Sequence, residues 1–551
     1  MRRVLPVFIA AGLALTVGGC ASSPAPAPAS AGAPAAAHGE KADFTAIANK
    51  LHSPELLARV QLKQAKAKKD ASLAVQAAVN ALKAGDDGLA DEAADLIEKL
   101  QPTNAAAPFI RLRTSLDDCN TKRASKAASA LYDAGGVRPL VRIPEGPYDH
   151  WCTYAVINNL SAAHPEDAEL SQLLAHTALQ AGDNGAAVAA ARKARQGGLN
   201  DLLTQIVTMQ ARWQLGQRKQ ALEEGAKILA SHSRDAAVRS LFAGLLIQAG
   251  DYRRARETLD DGVALSPGDA HLELAYVLLD QAQGNNKAAR KRLTGLLEKG
   301  DSSAGLYFLL GQEAQSEGNW SQAFVYYTSA RGDDSAQVAA ANALRHWKGL
   351  DAARAFLRRL EDRAPGLSPL WRGTEAGLLD AEGKTRQAYG LLRTAVKKYP
   401  VVRPLRYQLA MLAESVGKGR EAVHILARLV SEQPDSADYL NSYGYELLLH
   451  TREYEKAHGY IQRALAMAPD NPAILDSMGW VLYKQGKPAK ALGYLERAQK
   501  GAYGDPTVAS HLIRVYLALG RKDHARALLE KALTQSPDNA ELKRLSKRLP
   551  Q

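Results

Sequence analysis

The chain has 551 residues and a net charge of +12, with 46% hydrophobic and only 6% aromatic residues. That length suits several ordinary domains or one long repeat array, and abundant alanine with few aromatics argues against a β architecture. The positive balance leaves three classes of partner open: nucleic acid, anionic lipid and acidic protein.

The N-terminal stretch MRRVLPVFIAAGLALTVGGC carries Arg2 and Arg3, an apolar run from Val4 to Val17, then Gly18-Gly19-Cys20. The run is too short for a comfortable membrane span and fits a secretory leader. VGGC at 17–20 resembles the lipobox of bacterial lipoproteins. The resemblance implies removal of residues 1–20 and acylation of Cys20, including palmitate, and two or three acyl chains anchor stably where one would not. A plain secretory signal holding a cysteine is the competing reading. Ala21, where an aspartate would favour inner-membrane retention, implies an outer-membrane, lipid-anchored protein facing the periplasm, and in that compartment nucleic acid is not an expected partner. Residues 21–42, rich in Pro, Ala and Ser, read as a tether that cannot bury enough surface to fold.

Residues 43–167 read as an irregular α-helical region. QLKQAKAKKD (61–70) fits either a solvated helix face or a contact with anionic headgroups. QAAVNALKAG (76–85) and ADEAADLIEKLQP (90–102) form one degenerate hairpin, and VRIPEGPYDHWC (141–152) reads as a loop. Cys119 and Cys152 remain once Cys20 is assigned to lipid. In an oxidising compartment they suggest one disulfide, worth about 3–4 kcal/mol by loop-closure entropy; two separate thiols are the alternative.

From residue 168 a period emerges. One column of alanines runs Ala187, Ala221, Ala255, Ala289, Ala323, Ala353, Ala388, Ala422, Ala457, Ala491, Ala525, at intervals of 34 or 35 apart from a single 30. Small–large–small triplets recur in second helices, among them Ala323–Tyr327–Ala330, Ala457–Ile461–Ala464 and Ala491–Leu495–Ala498. Prolines fall twelve residues after the alanine in six units, and glycines such as Gly182, Gly216, Gly250, Gly318, Gly486 and Gly520 fall five residues before it. Gly479 sits inside a first helix, where glycine costs about 1 kcal/mol against alanine; a crossing second helix would explain it. This 34-residue helix–turn–helix pattern resembles the tetratricopeptide repeat. It implies an all-α superhelical solenoid of about 11 repeats over 168–540, closed by a capping helix at 541–551. Gly225 and Arg292 depart from the large second-helix position, with Leu293 able to serve after a one-residue shift. The 30-residue interval implies a shortened unit.

No catalytic constellation is visible: there is no HExxH, GxSxG, Walker A loop or Cys/His metal spacing, and Asp86-Asp87 lacks calcium-loop spacing. The chain reads as non-enzymatic, with no cofactor and no metal. By resemblance, first helices line the inner groove. Tyr407, Met411, Asn441, Tyr445, Asp476, Trp480 and Tyr483 fall on it, a set suited to an extended peptide or a partner's helix. Packing between adjacent first helices is the other reading of the aromatics. Asn441 carries both a donor and an acceptor for a peptide backbone.

NSYGYELL (441–448), AILDSMGWVLYKQGKPAKALGYLERA (473–498) and HLIRVYLALGRKDHARALLEKAL (511–533) resemble a proteobacterial family of outer-membrane tetratricopeptide-repeat lipoproteins. That family includes the adaptor of a periplasmic carboxyl-terminal processing protease, which helps deliver peptidoglycan cross-link hydrolases to the protease. The resemblance implies protein or peptide partners, among them such a protease and its substrates. The alternative is an assembly lipoprotein for an exopolysaccharide or pilus secretion system.

Overall fold

The computed structural model describes residues 53–547, except 142, 144, 145, 147 and 503. Cys20, the leader at 1–20 and the tether at 21–42 lie outside the described residues. The described chain forms 29 α-helices joined by short turns, and no strand occurs among its described residues.

The repeat begins with helix Ala168–Gln180 and ends with helix Lys522–Gln535, each unit pairing a first helix with a second. All eleven column alanines are buried, none more than 2% exposed. Their smallness is required by the crossing. A Cβ built on Gly479 would stand 2.4 Å from Leu495 Cγ and 3.2 Å from the Ala491 carbonyl; one on Gly444 would meet Ile461 at 2.7 Å and the Ala457 carbonyl at 2.9 Å. The first helix therefore gives up a side chain so that the second can seat its large residue directly on the backbone. The departures resolve the same way. Gly225 leaves room for Phe242 of the next first helix, and Leu293 takes the large position, fully buried. Arg292 reaches across to the first helix of its own unit, to Glu273 at 2.7 Å and Asp280 at 3.1 Å.

In several successive units the first helices touch one another, whereas no pair of successive second helices does so to a comparable extent. The first helices thus occupy the short, inner path of the curve and the second helices the outer one. Burial agrees: nine residues of helix Pro472–Lys484 are buried against three of helix Pro488–Gly501. The 30-residue interval falls on helix Trp320–Ser329, which has 10 residues where the other second helices have 13 or 14.

Helices also fill the described part of 43–167. Ala71–Ala84 and Asp87–Leu100 pair as a hairpin, the second helix starting at Asp87 because Asp86 caps it, its Oδ1 accepting from Leu89 N–H at 2.9 Å. The Asp86-Asp87 pair is thus a helix start. The stretch expected as a loop ends earlier than the pattern suggests. Asp149 caps helix His150–Ala163, taking His150, Trp151 and Cys152 into the helix. Cys152 is bridged to Cys119 with Cα atoms 5.5 Å apart, fastening the end of helix Ala106–Asp117 to that helix. Lys63, Lys66 and Lys68 lie on helix Pro54–Lys68, with Lys66 ion-paired to Glu92. At the far end helix Ala540–Ser546 buries Leu542 and Leu545 against the last unit and turns its polar side outward.

The superhelix returns on itself. Some 220 residues after Asp183, Arg403 meets its carboxylate at 2.7 Å. The Gln433 amide donates to the Gly182 carbonyl at 3.2 Å, and the Asp149 N–H to the Gly366 carbonyl at 2.8 Å. Trp151 lies under the Arg403 guanidinium, 4.7 Å from its ring centre. The N-terminal region and first unit therefore rest on units six to seven repeats downstream.

Candidate functional site: the first-helix wall

Four consecutive first helices, Ser368–Ala381, Arg403–Ser415, Ala437–His450 and Pro472–Lys484, form the aromatic part of the inner wall. Tyr407 and Met411 come from the second of these, Asn441 and Tyr445 from the third, Asp476, Trp480 and Tyr483 from the fourth. The structure sets all seven on this wall and divides them by environment. Tyr407, Met411, Asn441, Tyr445 and Tyr483 are half-buried, whereas Asp476 and Trp480 are buried.

The buried pair is committed to a neighbour that sequence reading missed. His511, on helix Pro506–Ala518, stacks on Trp480 at 3.9 Å with Nδ1 2.9 Å from Asp476 Oδ1. Tyr483 also stacks on Trp480, at 5.1 Å, and Lys484 Nζ stands 4.8 Å from the Trp480 ring centre. Asp476 thus orients a histidine instead of presenting a free carboxylate. His511 lies 35 residues after Asp476, one unit on, which is the signal that could have found it.

The open part lies one helix back. Tyr407 Oη shares a hydrogen bond with Ser442 at 2.9 Å, and its ring packs on Tyr439 at 5.3 Å. Buried polar atoms on all four helices, among them Trp371 Nε1, Arg406 Nε, Gln408 Oε1, Asn441 Oδ1 and Trp480 Nε1, have no hydrogen-bond partner among the described residues, and each is closed off from solvent.

The arginines of the wall are all engaged. Arg406 and Arg403 converge on Glu432 with Arg428, and Arg403 extends to Asp183. Burial pushes the Glu432 carboxyl up, but the arginines, led by Arg406, outweigh it and hold the group at about 2. Arg372 pairs with Glu361 and Glu375.

Profiles described as tetratricopeptide repeat match residues 212–272, 407–472 and 482–549. The array is a tetratricopeptide-repeat superhelix. A TPR repeat-containing protein of Pseudomonas aeruginosa is 31% identical over 209 residues, covering 37% of this chain and 35% of the relative, so the match spans about a third of that protein's length. Among solved structures, a thermophilic TPR protein of Thermus thermophilus aligns over 33% of this chain and 98% of its own, at 23% identity and a TM-score of 0.30. The Cut9–Hcn1 hetero-tetramer of the APC/C aligns over 92% and 95%, at 15% identity and a TM-score of 0.37. Tetratricopeptide arrays are protein-interaction scaffolds, generally without catalysis of their own.

Proposed function

We propose that this chain is a non-enzymatic adaptor lipoprotein, anchored in the outer membrane through Cys20, facing the periplasm, and holding an extended segment of a partner protein along the first-helix wall from Arg403 to Lys484. The observation that carries the reading is the row of half-buried side chains, Tyr407, Met411, Asn441, Tyr445 and Tyr483, that three consecutive first helices set on one wall. A peptide in extended form presents alternating N–H and C=O groups to a side chain such as the Asn441 amide, while the aromatics take its side chains. The family resemblance of the C-terminal three units supports a processing protease and its cell-wall hydrolase substrates as the partners. Two weak contacts on one array raise the effective concentration of each partner for the other.

Affinity purification of the chain from detergent-solubilised envelopes tests this. Wild type should recover a periplasmic protease together with a murein hydrolase, and an Asn441→Ala, Trp480→Ala variant with unchanged helicity should lose at least one of them. Recovery of a synthase or secretin would favour the secretion-assembly alternative. A partner set unaffected by the double substitution would remove the groove from the account.

A further inference from the structure

The outer wall is not an inert back. The eleven second helices carry 31 lysines and arginines against 15 acidic residues, whereas the eleven first helices carry 9 against 11. The array's excess positive charge thus sits on its convex side. The cations differ in kind as well as number. Those of the inner wall are taken up in ion pairs or ring contacts, as described for Arg372, Arg403, Arg406 and Lys484. On helix Thr385–Lys398, which holds four cations and no acid, Arg386, Arg393 and Lys397 are exposed and have no ion pair among the described residues. Their spacing of seven and four residues places them on one stripe about 16 Å long. Lys287 and Lys291 repeat this on helix Asn286–Glu298.

Between these two basic helices lies the one second helix without a charge, Trp320–Ser329. It presents Val325 outward, 49% exposed, beside the half-buried Trp320 and Phe324, which pack on His346 and Phe356, and the C-terminal end of the next first helix, Asp334–Lys348, adds Trp347, 43% exposed. Phe324 and Trp347 are 6.0 Å apart, and Lys348 Nζ lies 4.1 Å from the Trp347 ring centre. This is the shortened unit, where the repeat departs from its period. Exposed tryptophan and aliphatic side chains flanked by unpaired cations match a bilayer interface: rings settle at headgroup depth and lysine and arginine meet anionic phosphates. A nucleic-acid surface would need the cations and would leave the apolar insert without a purpose.

We infer that the second-helix wall between Asn286 and Lys398 docks on an anionic phospholipid bilayer, laying the array along the membrane with the first-helix wall turned away from it. The inference rests on the anchored reading only for the membrane's proximity. The test therefore uses the chain from Ala21 onward, without leader or lipid but with every described residue. Its failure would leave both the anchor and the groove standing.

Sedimentation with vesicles of phosphatidylcholine holding 30 mol% phosphatidylglycerol should exceed that with phosphatidylcholine alone at least tenfold at 50 mM NaCl, and fall steeply by 300 mM. An Arg386→Glu, Arg393→Glu, Lys397→Glu variant with the wild-type circular dichroism spectrum should lose at least tenfold. Brominated lipid should quench tryptophan fluorescence in wild type, and much less after Trp347→Phe. This second readout holds if the charge-reversed variant misfolds. Equal binding to neutral vesicles, or a folded charge-reversed variant that binds like wild type, would overturn the inference. Tight binding to a 30-base-pair DNA duplex without binding to the anionic vesicles would overturn it in favour of a nucleic acid.

Discussion

The two walls of the array are built from helices of similar length in strict alternation, yet they treat charge in opposite ways. The first helices are packed on both sides, are nearly neutral in sum, and engage their arginines with Asp183, Glu375 and Glu432. The second helices are packed on one side and leave Arg386, Arg393 and Lys397 in solvent. A charge in the crowded wall must be paired to offset desolvation, whereas one on the open wall is free to serve an external partner. Overall charge alone conceals this: a single positive total hides a slightly acidic inner wall and a strongly basic outer one.

The comparison can be broken most sharply at Arg403. Arg403→Ala leaves Asp183 buried without its cation and removes one link of the superhelical return, so a loss of about 3 kcal/mol is expected in a chemical-denaturation midpoint. Arg393→Ala on the outer wall, the matched control, should stay within about 0.5 kcal/mol. Equal effects would erase the distinction between the walls.

Gly479→Val comes next. Its Cβ would enter the space of Leu495, and overpacking of this kind costs about 1–3 kcal/mol. The same change at Gly493, on the outer wall with nothing within 4 Å of a Cβ, should be neutral to slightly stabilising. Thermal melts of the two variants decide it.

The smallest effect is read from pH. Glu432 is a second-helix acid held at about 2 in the fold by first-helix arginines, below an ordinary glutamate in the unfolded chain. The unfolded state then binds the proton first, so this contribution is complete above about pH 4.5 and is lost as pH falls towards 2. Melts between pH 6 and 3 should show a steeper fall for wild type than for Glu432→Gln. Parallel curves would mean that the arginine cluster adds nothing.

Much of the fold is written in the spacing of small residues. The alanine column, the Gly479 crossing and the one-residue shift at Leu293 can be read because close helix approach tolerates no alternative at those positions. Helix ends were less legible where a single side chain decides them, as with the caps at Asp86 and Asp149. The return of the superhelix was invisible, since Asp183 and Arg403 meet only after small rotations have accumulated over six units. At the candidate site the seven wall positions followed from the repeat phase. What the phase could not say is which of them face a neighbouring helix: the period equates Asn441 with Asp476, and only the histidine of the following unit makes one occupied and leaves the other open. The excess of cations on second helices becomes legible only through the repeat phase, which assigns each helix to a wall.

Photo-crosslinking in intact envelopes tests the division of labour between the walls most directly, with benzoylphenylalanine placed at Met411 on the inner wall or at Arg393 on the outer wall. Protein adducts at Met411, with none at Arg393, are the expected result. Protein adducts confined to Arg393, with Met411 silent, would contradict it.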